Sequence, residues 1–117
     1  MKVSELSGAL LDYWVVTADG SRGPEYVFED DKWWAKDCGV RVYYSRTWTQ
    51  GGPIIEREGI AVRPLAQLET FRPGDHCWMA HYLHGMHKAY GRTLLEAAMR
   101  SFVKAKFGET VADLVLT

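Results

Sequence analysis

The sequence has little net charge, few cysteines and no long apolar run, and each of these features excludes a class of protein. The formal net charge is -1, which argues against binding to duplex DNA through many phosphate contacts. The two cysteines, Cys38 and Cys77, have neither a CxxC spacing nor the density of a secreted disulfide scaffold, so we expect reduced thiols in a cytoplasm. A membrane-spanning run and a signal-peptide pattern are both lacking, so we expect neither membrane insertion nor export.

The remaining composition is that of an ordinary globular domain. The 117 residues are 47% hydrophobic and 25% charged, which predicts a single domain over residues 1–117 with one core and no need of a disulfide. Five Trp, six Tyr and four Phe are an unusually large aromatic share for a chain of this length. Aromatic rings fill cores and also stack on flat ligands, so both roles stay open.

Apolar residues at helical spacing predict a helix at each end of the chain. The first covers residues 4–18 and ends near Gly20. The second begins with a capping box formed by Thr93 and Glu96 and ends at Gly108, because a threonine followed three residues later by a glutamate satisfies the first amides of a helix.

Short segments with strand character lie between the two helices. They cover residues 25–28, 39–44, 60–62 and 77–83, with turn signals at 21–24 and 72–75. The fold class is therefore α+β, with the N-terminal and C-terminal helices packed on a small, mostly antiparallel sheet of three or four strands.

The segment around a Gly-Gly-Pro triplet is the first candidate site. Pro53 favours the first turn of a short helix, and Gly51 and Gly52 leave the backbone before it free. Exposed amides at a helix start bind anions. The alternative is a tight turn whose following isoleucines enter the core.

Three side chains beside this triplet have suitable ligand chemistry. Trp48 can stack on a base, Arg57 can pair with a phosphate, and Glu56 can accept a hydrogen bond from a sugar hydroxyl or an amine. The alternative is that the two charged side chains are simply solvated.

Trp33 and Trp34 form the second candidate site. Adjacent residues of a strand point to opposite faces, so one indole is expected to be exposed. Tryptophan is enriched at the centres of protein interfaces, and an exposed pair also suits a self-complementary dimer patch. The alternative is that one ring covers the sheet and the other lies against the surface.

A histidine-rich segment raises the possibility of a metal site. Its potential ligands are His76, Cys77, His81, His84 and His87. Cys77 and His81 share a strand face but lie about 13 Å apart, too far for one tetrahedral ion, so we expect solvated histidines and no metal.

Recognised catalytic motifs are lacking. The sequence has no GxSxG, P-loop, HExxH or GxGxxG pattern, and His76 and Cys77 point to opposite faces of the predicted strand. We therefore expect no catalytic residue and no cofactor, and we favour binding over catalysis.

Three blocks of the sequence resemble the NinX family of small tailed-phage proteins. Residues 43–60 read YYSRTWTQGGPIIEREGI and resemble the family signature, and residues 3–15 and 91–108 resemble its terminal helices. The chain departs from the family pattern at Thr47, where the pattern is acidic, and in the histidine-rich segment. The resemblance implies a phage accessory protein in the cytoplasm of an infected bacterium, and it implies no reaction.

Our leading hypothesis is a phage accessory protein that sequesters a small anionic, nucleotide-like ligand. Its expected ligand site has five residues: Trp48, Gly51, Gly52, Glu56 and Arg57. One alternative is a modulator that binds a host or phage protein through Trp33 and Trp34. A metal-dependent enzyme is a further alternative, and assembly into a homodimer or larger homo-oligomer is a related hypothesis.

Overall fold

The α+β class is confirmed in the computed structural model, which describes residues 1–65, 78–83 and 86–114. The three α-helices are α1 (Gly8–Ala18), α2 (Trp48–Glu58) and α3 (Leu94–Phe107), and a short 3-10 helix, Val3–Glu5, precedes α1. The six strands in these residues are β1 (Pro24–Glu29), β2 (Lys32–Asp37), β3 (Val40–Arg41), β4 (Ala61–Pro64), β5 (Trp78–Tyr82) and β6 (His87–Gly91). No helix within these residues has both the length and the apolar composition needed to cross a membrane.

The strands form two sheets, where the sequence indicated one. Their orders are β1-β2-β3 and β4-β5-β6, and every described pairing is antiparallel. Helix α3 covers one face of the second sheet and also contacts α1, which packs on the first sheet. Each terminal helix thus packs on a different sheet, and α1 lies between α3 and the first sheet.

The core follows this layering. Most buried apolar side chains of α1 and α3 belong to one cluster, which includes Leu11, Val15, Phe102 and Val103. A smaller cluster joins Val16 of α1 to the first sheet. Because an amphipathic helix must bury its apolar face, α1, which is apolar on two sides, is stable only between two partners.

Strand β2 was missed because its turns have unusual residues. Each connection in the first sheet is a two-residue hairpin loop, formed by Asp30 and Asp31 and then by Cys38 and Gly39, and all four have positive φ. Positive φ at both loop residues is the geometry of a type I′ turn, for which Asn-Gly and Asp-Gly are the usual signals. The predicted strand 39–44 is correspondingly shortened to β3.

Helix α2 corrects the prediction that Pro53 opens a helix. The helix starts five residues earlier, after the N-cap Thr47, and Pro53 lies inside it. The residue before a proline is normally kept out of the helical region, because its Cβ would clash with the Cδ of the proline ring. Gly52 has no Cβ, which makes this position tolerable, and Gly59 ends the helix with a φ of 64°.

The other predicted elements are largely confirmed. The Glu96 amide donates to Thr93 Oγ1 at 3.0 Å, the Glu96 carboxylate accepts from the Arg92 amide at 3.0 Å, and α3 ends at Gly108. Predicted strands correspond to β1, β4 and β5, whereas β6 was not predicted. The predicted turn at 72–75 lies outside the described residues.

A buried carboxylate connects α1 to the chain before α2. Asp12 is fully buried, and its Oδ1 accepts from the Ser45 amide at 2.7 Å while its Oδ2 lies 3.2 Å from Nη2 of Arg46. Desolvation by burial raises the pKa of Asp12 above its ordinary value, against the lowering effect of Ser45 and Arg46. The neutral acid is therefore favoured relative to the unfolded chain.

Gly51 permits the close approach of α2 to its neighbours. A Cβ at this position would collide with the carbonyl oxygen of Tyr44 and would lie 2.7 Å from Cδ2 of Leu95. A Cβ at Gly52 would meet only the Trp48 ring, at an ordinary 3.4 Å. The two glycines of the triplet thus have different roles.

We predict effects of different size for alanine at these two glycines. Gly51→Ala should destabilise the fold by about 1–3 kcal/mol through overpacking. Gly52→Ala should change the stability by less than about 1 kcal/mol, because its gain in helix propensity offsets the clash of the new Cβ with Pro53. Urea unfolding of both variants measures the difference. A Gly51→Ala protein as stable as its Gly52→Ala counterpart would contradict the described packing.

We also predict a pH-dependent difference between wild type and Asp12→Asn. A raised folded pKa contributes stability at pH values below the unfolded pKa, near 3.8, and that contribution is lost as the pH rises through the folded pKa. The free energy of unfolding of the wild type should therefore fall relative to Asp12→Asn between about pH 3.5 and pH 7. Parallel urea titrations test this, and a relative gain for the wild type with rising pH would be the contrary result.

Candidate functional site

The candidate site is a cleft of about 360 Å³ at the start of two helices. It is lined by Ser45, Arg46, Trp48, Thr93, Leu94 and Leu95. The first three belong to the approach to α2, and the others to the first turn of α3. Its size is within the range of small-molecule sites, at the lower end. We call it the α2–α3 cleft.

Helix starts carry unsatisfied amides, and two helix starts meet at this cleft. In α2 the first amide with a backbone partner is that of Gly51, which donates to the Thr47 carbonyl at 2.9 Å. In α3 the side chain of Thr93 accepts from the Glu96 amide, so the amides of Leu94 and Leu95 have no partner within the described residues. Both helix dipoles therefore present their positive ends here.

Ser45 is a nearly buried residue of the cleft wall. It is only 7% exposed, and its Oγ is inaccessible to solvent. The Ser45 side chain lies beside the Asp12 carboxylate, where it lowers the pKa of Asp12. Ser45 therefore holds Asp12 and does not offer its hydroxyl to the cleft.

Arg46 adds a positive charge beside this hydroxyl. Its guanidinium pairs with Asp12 through Nη2 and lies 5.2 Å above the ring of Tyr43. The side chain is nevertheless 47% exposed. A guanidinium with five donors can keep its bond to Asp12 and also donate to an anion in the cleft.

Trp48 supplies an exposed aromatic face. The residue is 59% exposed and is the first residue of α2. Its position beside two helix starts places a flat apolar surface next to amide donors. This combination suits a ligand that has a charged group and a planar ring.

The structure brings together only part of the site expected from the sequence. Trp48 and Gly52 are neighbours, since a Cβ at Gly52 would lie 3.4 Å from the indole. Trp48 and Arg57 are nine positions apart in one helix, so they lie on opposite sides of it and about 13 Å apart along its axis. Arg57 instead pairs with Asp19 at 2.6 Å.

The other three expected residues do not provide ligand groups in the cleft. Gly51 is buried in helix packing, and the amides of both glycines lie within α2 rather than at its start. Glu56 is exposed and lies two turns after Trp48. The residues that sequence reasoning missed are Ser45, Arg46 and the first turn of α3. The N-cap Thr47, a favoured helix-start residue, was the signal for the true beginning of α2.

The two adjacent tryptophans have different environments, as strand alternation predicted. Trp33 is 39% exposed and stacks on Tyr26 with ring centroids 4.7 Å apart. Trp34 is half-buried on the opposite face, where its Nε1 donates to the Glu29 carbonyl at 2.8 Å. The guanidinium carbon of Arg41 lies 3.8 Å above its ring. Trp34 is therefore satisfied within its own sheet.

The described histidines do not converge. His81 and His87 lie on opposite faces of the second sheet, because His87 pairs with Tyr82 and His81 pairs with Lys88. Within residues 1–65, 78–83 and 86–114, no group of three or more potential ligands could hold a metal ion. His76, Cys77 and His84 lie outside the described residues.

A second concavity, of about 490 Å³, lies beside the start of α1 and is lined in part by Arg92, Glu96 and Arg100. Arg100 is buried and donates to the carbonyls of Leu6 and Tyr90 at 2.8 and 2.7 Å. It also pairs with Glu96 at 3.1 Å. Arg100 thus ties α3 to neighbouring segments and is partly neutralised by Glu96.

Comparison with known proteins assigns the family. The family model described as "Bacteriophage P22, NinX" matches residues 2–106, which include all six strands, α1, α2 and nearly all of α3. No curated protein matches the chain. The family match covers far more than half of the sequence and agrees with the resemblance seen in the three sequence blocks. The chain therefore belongs to the phage protein family described as Bacteriophage P22, NinX.

Proposed function

We propose that this phage protein binds and sequesters a small phosphate-bearing ligand with a planar ring, such as a mononucleotide, in the α2–α3 cleft. The observation that carries the proposal is the meeting of two helix starts at a cleft that also holds the Arg46 guanidinium and the exposed Trp48 ring. The amides of Leu94 and Leu95 have no partner within the described residues. An anion in the cleft would provide acceptors for these amides and for Arg46.

The phosphate end of the ligand is expected against the polar wall of the cleft. The Arg46 guanidinium and the amides of Leu94 and Leu95 are donors. Hydrogen bonds to a charged group contribute about 1.5–3 kcal/mol each. Oriented amides at a helix start also need no rearrangement to receive an anion.

The planar end of the ligand is expected on Trp48. Stacking of a base on an aromatic side chain contributes about 1–3 kcal/mol and tolerates different bases. The indole is exposed before the ligand arrives, so covering it also removes apolar surface from water. The site requires no catalytic group, which agrees with a sequestering role rather than a reaction.

Arg46→Gln tests the charged donor of the cleft. We expect this variant to bind adenosine or guanosine 5′-monophosphate roughly 10- to 100-fold more weakly, because one charged hydrogen bond is lost. Arg57→Gln, on the opposite side of α2, should bind as the wild type does. Calorimetric titration measures the affinities, and urea unfolding shows that both variants fold. Equal affinities of Arg46→Gln and the wild type would mean that the guanidinium does not contact the ligand, and the proposal would fail.

Trp48→Ala tests whether the ring and the phosphate of the ligand are bound by different groups of the cleft. The variant should lose roughly tenfold or more in affinity for a mononucleotide but should bind inorganic phosphate as the wild type does. Arg57→Gln is the matched control on the opposite side of α2 and should leave both affinities unchanged. Equal losses in the two variants would favour the original five-residue site over the cleft.

Native mass spectrometry provides a test without a chosen ligand. Protein purified from bacterial lysate should retain a small phosphate-bearing molecule, and Arg46→Gln protein should retain less of it. If no small molecule is retained and a nucleotide panel leaves the melting temperature unchanged, the proposed function is wrong.

A further inference from the structure

Three aromatic rings project from the first sheet. Tyr26 and Phe28 of β1 and Trp33 of β2 lie on one face, because Phe28 pairs with Trp33 and Tyr26 pairs with Ala35 in the β1–β2 register. The Trp33 ring stacks on Tyr26 and lies 5.3 Å from the Phe28 ring. We call these three residues the aromatic tip.

The aromatic tip extends beyond the helix that covers the rest of this face. Ala35 is buried against Val16 of α1, and Tyr26 contacts Tyr13 of α1 at a centroid distance of 6.1 Å. Towards the hairpin turn the exposure rises to 39% at Trp33 and 57% at Phe28. The sheet therefore continues past its helix with its most apolar residues uncovered.

The aromatic tip is held in a fixed arrangement. The turn at Asp30 and Asp31 has only two residues, and the ladder continues to the last pair before it. On the opposite face, Lys36 and Arg41 both pair with Glu29, at 2.7 and 3.2 Å. Rings that are already ordered lose little conformational freedom on binding, which is typical of interface anchors.

The charge around the aromatic tip is acidic. Residues 24–41 contain five carboxylates and three basic side chains, so this sheet is more negative than the chain as a whole, whose net charge is -1. Glu29 and Asp30 are paired with basic neighbours. Asp31, in the turn next to Trp33, makes no ion pair within the described part of the chain. A partner that contacts this rim is expected to carry lysine or arginine.

The size of the aromatic tip argues against a flat dimer. The exposed parts of Phe28 and Trp33 amount to about 200 Å², whereas a standard interface buries about 800 Å² on each partner. Two copies that met only through these rings would bury too little surface. A projecting cluster of this size suits the centre of a larger interface in which the partner surrounds it.

We propose that the aromatic tip is the anchor of a protein interface, and that its partner is a different protein with an apolar socket rimmed by lysine or arginine. Phe28 and Trp33 enter the socket, and Asp31, in the turn beside them, faces the basic rim. This surface shares no residue with the α2–α3 cleft, so the proposal stands independently of ligand binding.

Site-specific photo-crosslinking in phage-infected bacteria tests this interface. The photoreactive residue p-benzoylphenylalanine replaces Phe28 in one protein and Tyr90, an exposed ring of the second sheet, in the control protein. We expect one protein to be crosslinked from position 28 and not from position 90. The crosslinked residue should map to an apolar concavity bordered by lysine or arginine.

Two further variants establish the chemistry of the contact. Trp33→Ser, introduced into the protein that carries the photoreactive residue at position 28, should reduce the crosslinked product at least tenfold, and Asp31→Lys should reduce it severalfold. Unchanged melting temperatures show that the variants fold. The proposal is overturned by no position-28 product, by a product that joins two copies of this chain, by a crosslink to an acidic or flat surface, or by insensitivity to charge reversal.

Discussion

The contact between Asp12 and residues 45–46 is the constraint on which the cleft depends. Asp12 is in α1, and its carboxylate accepts hydrogen bonds from the Ser45 amide and the Arg46 guanidinium. The hydrogen bond from the Ser45 amide fixes the backbone at the approach to α2. The Ser45 side chain also lies beside this carboxylate, and Ser45 and Arg46 both lower the pKa of Asp12. Burial outweighs these contacts and raises the pKa of Asp12, so the fold disfavours the charged carboxylate.

Close packing at Gly51 completes the same arrangement. Without a side chain there, α2 can pack against Tyr44 and Leu95, so the start of α2 is brought beside the start of α3. The cleft therefore depends on two residues: Asp12 holds the chain before α2, and Gly51 allows α2 to pack close to α3. Neither residue is itself a ligand group, although both determine where the ligand groups lie.

The sequence was sufficient for features that depend on local chemistry. The capping box at Thr93 and the alternation of Trp33 and Trp34 follow from neighbouring residues alone, and both are observed. The start of α2 was misassigned because proline is favoured in the first turn of a helix. Pro53 can instead lie inside α2 because Gly52, which precedes it, has no Cβ to clash with the proline ring. The hairpins of the first sheet were missed because Asp30-Asp31 is a rare turn sequence.

The site was only partly predictable because its two walls are distant in the sequence. Ser45 and Leu94 are 49 residues apart, and no local pattern indicates that two helix starts meet. Trp48 was identified by residue type, whereas Arg57 was assigned to the same site because it is near in sequence. Helical geometry separates the two, and Arg46 is the cationic side chain that lines the cleft.

The α2–α3 cleft and the aromatic tip are on different elements and have different chemistry. The cleft has amide and guanidinium donors beside one indole, which suits a small anion with a ring. The tip has stacked rings with an acidic rim, which suits a protein surface. An accessory protein that holds a ligand at one surface can thus be attached to a partner through the other.

The most direct measurement of the central claim is a nitrogen-proton correlation NMR titration with adenosine 5′-monophosphate. The account predicts that the largest shifts occur at the amides of Ser45, Trp48, Leu94 and Leu95 and at the Trp48 indole N–H. Shifts centred on Arg57 or on the second sheet, or no shifts at millimolar ligand, would contradict the account.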